Sequence, residues 1–209
     1  LTDSDISVIG AGAIGSFAAL TLAKMGARTI TVYDEDGVED HNLPNQFYRK
    51  QDIKQFKVEA LSQILAEFSD TRVRAINKPY VNQILRNTVV VATDSMASRK
   101  LVWEQFLKQN KSQNLIEARM GAELGMVYTI KKGNTKFTKH DIPFYQDRLY
   151  TDDKVKPLPC TGRSIIYNIL MISSLICRAY KSVLTKEKFP RELIFNMTSL
   201  DERSYMMQI

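Results

Sequence analysis

Gly10, Gly12 and Gly15 stand as G-x-G-x-x-G directly after the run Ile6-Ser7-Val8-Ile9. Beyond them Phe17, Leu20, Leu22 and Met25 recur at helical spacing. In a strand–turn–helix the first glycine permits the tight turn, the second lets backbone approach a phosphate, and the third lets helix and strand pack closely. Phosphate then lies on the free amides of the helix N-terminus. Asp34, 19 residues past Gly15, closes the β-branched run Thr29 to Tyr33. A carboxylate there can accept from ribose hydroxyls. The chemistry implied is nucleotide binding, and the fingerprint leaves the nucleotide open. An NAD(P)-binding Rossmann oxidoreductase and an ATP-using enzyme share this geometry. The loop that follows separates them. A dinucleotide site needs little beyond its ribose acid, whereas here Asp36, Asn42-Leu43 and Gln46 precede Lys57 at the head of the next helical period.

With Asp94 at the end of a later apolar run, Val89 to Thr93, these residues resemble the ThiF/MoeB/HesA family, the adenylating fold shared with ubiquitin-activating enzymes. The resemblance implies ATP-dependent adenylation of the C-terminal carboxylate of a small ubiquitin-like or sulfur-carrier protein. It further implies that Asp34 holds ribose, that Asn42 and Lys57 hold phosphates, and that Asp94 binds Mg²⁺ beside the α-phosphate. The physics agrees, because joining a carboxylate to a phosphate demands cations aimed at the developing charge. Lysine suits phosphate as a point charge, and a hard carboxylate oxygen suits Mg²⁺. Plainer roles stay open: a turn residue for Asn42, a loop former for Asp36, a solvated helix charge for Lys57, and a helix cap for Asp94.

One position departs from the family pattern. Asn45 stands where the family has arginine before the glutamine, and a delocalised cation has no substitute in an amide. Arg49, four residues on, is the candidate replacement, with a surface charge as the alternative. The departure also admits a catalytically weakened ThiF-like binding scaffold. The family's four zinc cysteines are missing, so no structural zinc is expected. Cys160 follows Pro159 and precedes Arg163 at the head of a long apolar segment. A helix dipole and a nearby cation both favour thiolate, and the run resembles the thioester-forming segment of ubiquitin-activating enzymes. Cys160 is thus the candidate acceptor of the activated carrier, the alternative being a small buried cysteine.

Several elements must hold these residues in place. Strand-like runs at Ile6–Ile9, Thr29–Tyr33, Arg72–Asn77, Val89–Thr93 and Leu115–Ala118 alternate with helical periods at Lys57–Phe68 and Met96–Lys108. Such alternation predicts an α/β fold, a doubly wound Rossmann-like sheet, mostly parallel, with helices on both faces. Met126 to Lys131 is expected as an antiparallel edge, and Leu193 to Met197 as a last strand. Tyr145 to Pro159, rich in turn formers, reads as a mobile crossover loop before a buried helix over Thr161 to Lys181. Residues 1–209 are expected to form one adenylating domain, and the apolar last helix suggests a homodimer.

Composition narrows the rest. Of 209 residues, 44% are hydrophobic and 25% charged, which excludes wholesale disorder. The net charge of +6 is scattered, so nucleic-acid binding is not indicated. Two cysteines exclude a disulfide scaffold, and His41 and His140 lack metal-ligand spacing. No stretch offers the roughly 18 apolar residues of a membrane span, and a strand begins by Ile6, before a signal core would fit. A soluble cytoplasmic protein is expected.

Overall fold

The computed structural model describes residues 4–133, 138–150 and 165–199. Its strands are β1 (Asp5–Ile9), β2 (Thr29–Tyr33), β3 (Arg72–Ile76), β4 (Thr88–Val91), β5 (Asn114–Gly121), β6 (Leu124–Lys131) and β7 (Glu192–Asn196). They form one seven-stranded sheet in the order β3-β2-β1-β4-β5-β6-β7. The first five are parallel, while β6 and β7 run antiparallel to their neighbours. The antiparallel edge is therefore two strands wide, and β7, not Met126–Lys131, forms its rim.

Helices α1 (Ala13–Lys24), α2 (Lys57–Phe68) and α5 (Ile166–Thr185) cover one face. Helices α3 (Met96–Lys108) and α4 (Asp141–Gln146) cover the other. β1, β2 and β4 are buried on both faces, which is why they read as unbroken apolar runs. Ala18, Ala19, Leu22 and Ala23 keep α1 thin enough to lie beneath α5, whose Ile172, Ile176, Ala179 and Tyr180 complete that core. Across the sheet, Trp103 and Phe106 of α3 stack against each other, and Trp103 meets Tyr145 of α4 at 4.7 Å between ring centroids.

Two expectations change. Tyr145, expected inside a loop, sits on α4 and is wholly buried; residues 151–159 of that loop lie outside the described residues. The last helix is described over Ile166–Thr185 and runs four residues further than expected at its end; residues 161–164 of its expected span lie outside the described residues. No helix separates β3 from β4. Residues 77–87 cross instead as irregular chain, held by Gln109, whose side chain accepts from Leu85 N at 2.7 Å and donates to Gln83 O at 3.0 Å. Among the described residues no helix is long and apolar enough to cross a membrane.

Candidate active site

β1 leads through β2 to β3 on one side, and β4 starts the other half of the sheet, so the strand order reverses between β1 and β4. Ligands of open α/β sheets bind beyond the carboxyl ends of the strands at this switch point. There the molecule has a cleft of about 930 Å³, lined by Gly10, Gly12, Asp34, Asp36, Lys57 and Asp94 among others.

The glycine turn divides its labour. Gly10 has a positive φ of 96°, and a Cβ on it would lie 2.6 Å from Ala92 O. A Cβ on Gly15 would meet Gly10 O at 1.9 Å. Both glycines are demanded by the protein's own packing. Gly12 is not, because a Cβ there would meet nothing within 4 Å and would project into open space. The bare backbone at Gly12 is what an incoming group would use. α1 begins at this point without a capping side chain and without an acidic residue in its first turn, leaving its leading amides for an anion. Tyr48 donates to Ala11 O at 2.6 Å and Phe47 N donates to Ser16 Oγ at 2.9 Å, which pins the following loop against α1.

Asp34 stands beside the turn, accepting from Ala11 N at 2.6 Å and from Asp36 N at 2.9 Å. Burial lifts its carboxyl above the usual aspartate value, only partly offset by those two amides and Lys57. Lys57 opens α2, its amide donating to Asp36 O, and its ammonium meets Asp36 Oδ2 at 2.8 Å. The lysine side chain is 8% exposed while its aspartate partner is 64% exposed. A buried ammonium thus faces the cleft, in direct contact with one exposed carboxylate. Asp94 follows β4 at the mouth of α3, yet Ser95 caps that helix, accepting from Ser98 N at 3.2 Å. The exposed Asp94 carboxylate makes no hydrogen bond or ion pair among the described residues.

Asn42 and Arg49 are placed elsewhere. Asn42 is buried, its amide oxygen accepting from Glu39 N at 2.9 Å in a reciprocal capping arrangement. Arg49 pairs with the buried Asp52 at 2.9 Å and with Glu67, on a groove outside the cleft. Of that loop, Gln46 lines the cleft and Asn45 does not. Cys160 and Arg163 lie outside the described residues. Among the described residues no group of three or more His, Cys, Asp or Glu side chains is arranged to hold a metal.

Two further walls were not read from the sequence. Pro79 and Tyr80, from the irregular crossover, line the cleft beyond Tyr33; the two tyrosine rings meet edge to face at 5.4 Å. Opposite them Arg99 and Arg119 approach from α3 and β5. Both pair with the fully buried Glu117: Arg119 Nε and Nη2 donate to its two oxygens at 2.6 and 2.9 Å, and Tyr145 Oη donates at 2.5 Å. Arg99 Nε stands 2.7 Å from Glu117 Oε1 as a charge contact, its N–H directed off the line of a hydrogen bond. Arg99 Nη1 and Nη2 donate instead to the carbonyls of Asp94 and Thr93. The alternation Glu117–Ala118–Arg119 was the available signal, since a strand places these two charges on one face.

A doubly wound sheet with a glycine turn, carboxylates and a buried lysine at its switch point defines a Rossmann-like α/β protein of the nucleotide-site type. The chain belongs to the ThiF family, whose model matches residues 1–208. It is 32% identical over 108 residues to the sulfur carrier protein ThiS adenylyltransferase of Escherichia coli K12, covering 48% of this chain and 43% of that protein. It is 29% identical over 145 residues to SUMO-activating enzyme subunit uba-2 of Caenorhabditis elegans, covering 65% of this chain and 25% of that one. The chain thus spans less than half the length of these relatives. The fold matches E. coli MccB, crystallised with ATP, at a TM-score of 0.75 and 18% identity, over 96% of this chain and 62% of MccB.

Proposed function

We propose that this chain uses ATP to adenylate the C-terminal carboxylate of a small ubiquitin-like or sulfur-carrier protein. The observation that carries the reading is the convergence on one cleft of an open glycine at Gly12, a helix start without a cap, and the buried ammonium of Lys57. Together they supply amides and a cation where a polyphosphate would lie. The ThiF membership and the named activity of the ThiS relative support the same reaction class.

In this reading Asp34 accepts from the ribose hydroxyls and Lys57 exchanges Asp36 for phosphate oxygens. A tail carboxylate oxygen forms a bond to the α-phosphorus while the bond to the bridging oxygen breaks, and pyrophosphate leaves with that electron pair. The exposed Asp94 carboxylate, without a partner among the described residues, fits Mg²⁺, which typically takes one or two carboxylates along with phosphate oxygens and water. Bound there, the ion would neutralise phosphate charge. Asn42 and Arg49 act only through the loop they shape. Residues 1–209 are read as one adenylating domain that pairs as a homodimer in the cytoplasm.

Transfer to Cys160 would follow adenylation, since an acyl adenylate is a good donor to thiolate. Cys160→Ser is expected to keep ATP–pyrophosphate exchange and to lose a reducible covalent adduct with the carrier. An adduct that survives this substitution removes Cys160 from the path. The founding test is carrier-dependent ATP–pyrophosphate exchange with small proteins ending in a Gly-Gly-like tail. Carrier-independent reduction of NAD(P) would favour the oxidoreductase alternative instead, and ATP binding without exchange would favour a binding scaffold.

A further inference from the structure

The reaction proposed above brings two anions into one cleft, and the glycine turn with Lys57 accounts for only one of them. The opposite wall is also cationic. Arg99 and Arg119 share one buried carboxylate, Glu117, so the cluster carries a net charge of +1 against a low-dielectric core. Arginine stays protonated in proteins. Burial opposes the charge of Arg119, but Glu117 outweighs burial and holds the guanidinium firmly cationic.

Arg119 is built into its place. Nε and Nη2 donate to Glu117, and Nη1 donates to Arg148 O at 3.0 Å just beyond α4. The guanidinium lies against Tyr128 at 4.7 Å and Tyr150 at 5.5 Å from the ring centroids. An arginine has five N–H groups, so among the described residues these three bonds leave two uncommitted. In register, Val91 at the end of β4 pairs with Glu117, which makes residues 118–121 of β5 overhang the carboxyl end of the parallel sheet. Arg119 sits on that overhang and lines the cleft together with Met120, Gly121, Leu124, Met126 and Tyr150. This part of the lining is largely apolar, with Arg119 as its cation. A polyphosphate has no partners along it, whereas an extended peptide tail would find a weakly polar floor and a charge partner for its terminus.

We propose that Arg119 is a specificity-determining residue that receives the terminal carboxylate of the incoming tail, through its free N–H groups and the unbalanced charge it shares with Arg99. The inference rests on the adenylation reading for its choice of ligand. Glu117, Tyr145 and Tyr128 are positioning residues that fix the guanidinium plane.

The test uses the full chain saturated with AMP and two probes, a hexapeptide ending in Gly-Gly as the free acid and the same peptide as its C-terminal amide. Wild type should bind the acid roughly ten- to hundredfold more tightly than the amide, the range of a charged hydrogen bond. Arg119→Met should abolish that preference and leave AMP affinity within about twofold, the ordinary spread for a site without direct contact. Arg119→Lys should keep part of the preference, retaining charge but not the planar fork. If Arg119→Met melts below the assay temperature, Arg119→Gln, which removes the charge but keeps an amide donor for Glu117 and leaves the Arg99–Glu117 pair intact, carries the same expectation. Equal binding of acid and amide by wild type overturns the proposal, as does a preference that survives Arg119→Met or a loss of AMP binding in that variant. Failure of wild type to bind AMP at all would instead sink the adenylation reading on which it stands.

Discussion

Asp94→Ala isolates a carboxylate that no described neighbour needs, so its effect on the fold should be negligible and its effect on chemistry large. Carrier-dependent pyrophosphate exchange should fall by about a hundredfold or more, the scale of losing a group aimed at developing charge. Near-normal exchange would remove Asp94 from the mechanism. Lys57→Ala takes away a cation buried at the cleft wall, and ATP affinity should fall by roughly ten- to hundredfold, the worth of a charge-assisted contact. Adenosine, which has no phosphate, should bind the variant as it binds wild type; equal losses for both ligands would place Lys57 in the scaffold. Asp34 adds a pH signature. Its folded-state value is raised above the ordinary 3.8 by burial, so as pH falls it takes up a proton before an exposed aspartate would. Protonation spoils it as an acceptor for ribose hydroxyls. Adenosine affinity should therefore decline in acid at a higher pH than an unperturbed aspartate would cause, and Asp34→Asn should remove that inflection. The same sign makes the folded state gain protons first, so this group's contribution to stability diminishes as pH rises through its raised value.

Elements differ in how legible they were, and the difference follows from what fixes each one. β2, α2 and α3 match their expected spans because buried β-branched runs and single apolar stripes determine them locally. α4 escaped: six residues with an internal proline carry no readable period, and its burial depends on Tyr145 reaching Glu117 on the sheet face that α3 and α4 cover. The site divides in the same way. Gly10, Gly12, Asp34, Lys57 and Asp94 lie at strand ends and helix starts, where topology delivers them to one edge. Pro79 and Tyr80 arrive through an irregular crossover, Arg119 through strand overhang and Arg99 from the first turns of α3, a convergence which only the assembled sheet reveals. Asn42 and Arg49 suited phosphate by residue type, but their local partners Glu39, Asp52 and Glu67 direct them elsewhere. At this scale the rim strand offers a further prediction. Arg148, just after α4, pairs with Glu192 of β7 at 2.7 Å, and that contact holds the Glu192 carboxyl below its ordinary 4.5. A lowered value contributes stability above the ordinary one and loses it as pH falls through the lowered one. Both side chains are partly solvated, so the pair contributes about 0.2–1 kcal/mol. Arg148→Ala should speed amide exchange in β7 by a few-fold at neutral pH, with the difference from wild type vanishing in acid. An unchanged exchange rate would mean that β7 is held by its ladder with β6 alone.

At the scale of the whole molecule, one surface is more apolar than a solitary subunit requires. A groove of about 440 Å³ runs between the loop after β2, α2 and the start of α5, lined by Phe17, Leu43, Phe47, Phe68, Ile166 and Leu170. Phe68, Ile166, Tyr167 and Leu170 each stay two-fifths or more exposed, although the opposite face of α5 is packed on α1. An apolar stripe of that kind beside a groove is what a contact between subunits would use. Arg49 and Glu67 add an ion pair at its rim, giving the polar margin that interfaces favour. Because Phe17 lies on α1 and Phe47 on the loop tied to Ser16, the groove shares its supports with the glycine turn; a partner seated there would stiffen the nucleotide side of the cleft without touching it. A stable dimer needs about 800 Å² from each subunit, so such a contact would engage the groove and the start of α5 together. Leu170→Glu or Ile166→Glu would place a charge in the middle of it. Sedimentation is expected to show a dimer for wild type at about ten micromolar, a concentration at which micromolar affinities are already mostly satisfied, and a monomer for either variant. The variants should melt close to wild type, since both positions are already exposed in the isolated subunit, while their ATP affinity drops as the loop loosens. A wild type that sediments as a monomer under these conditions, with full ATP affinity, would separate the groove from the active site and leave α5 as a cover for the sheet alone.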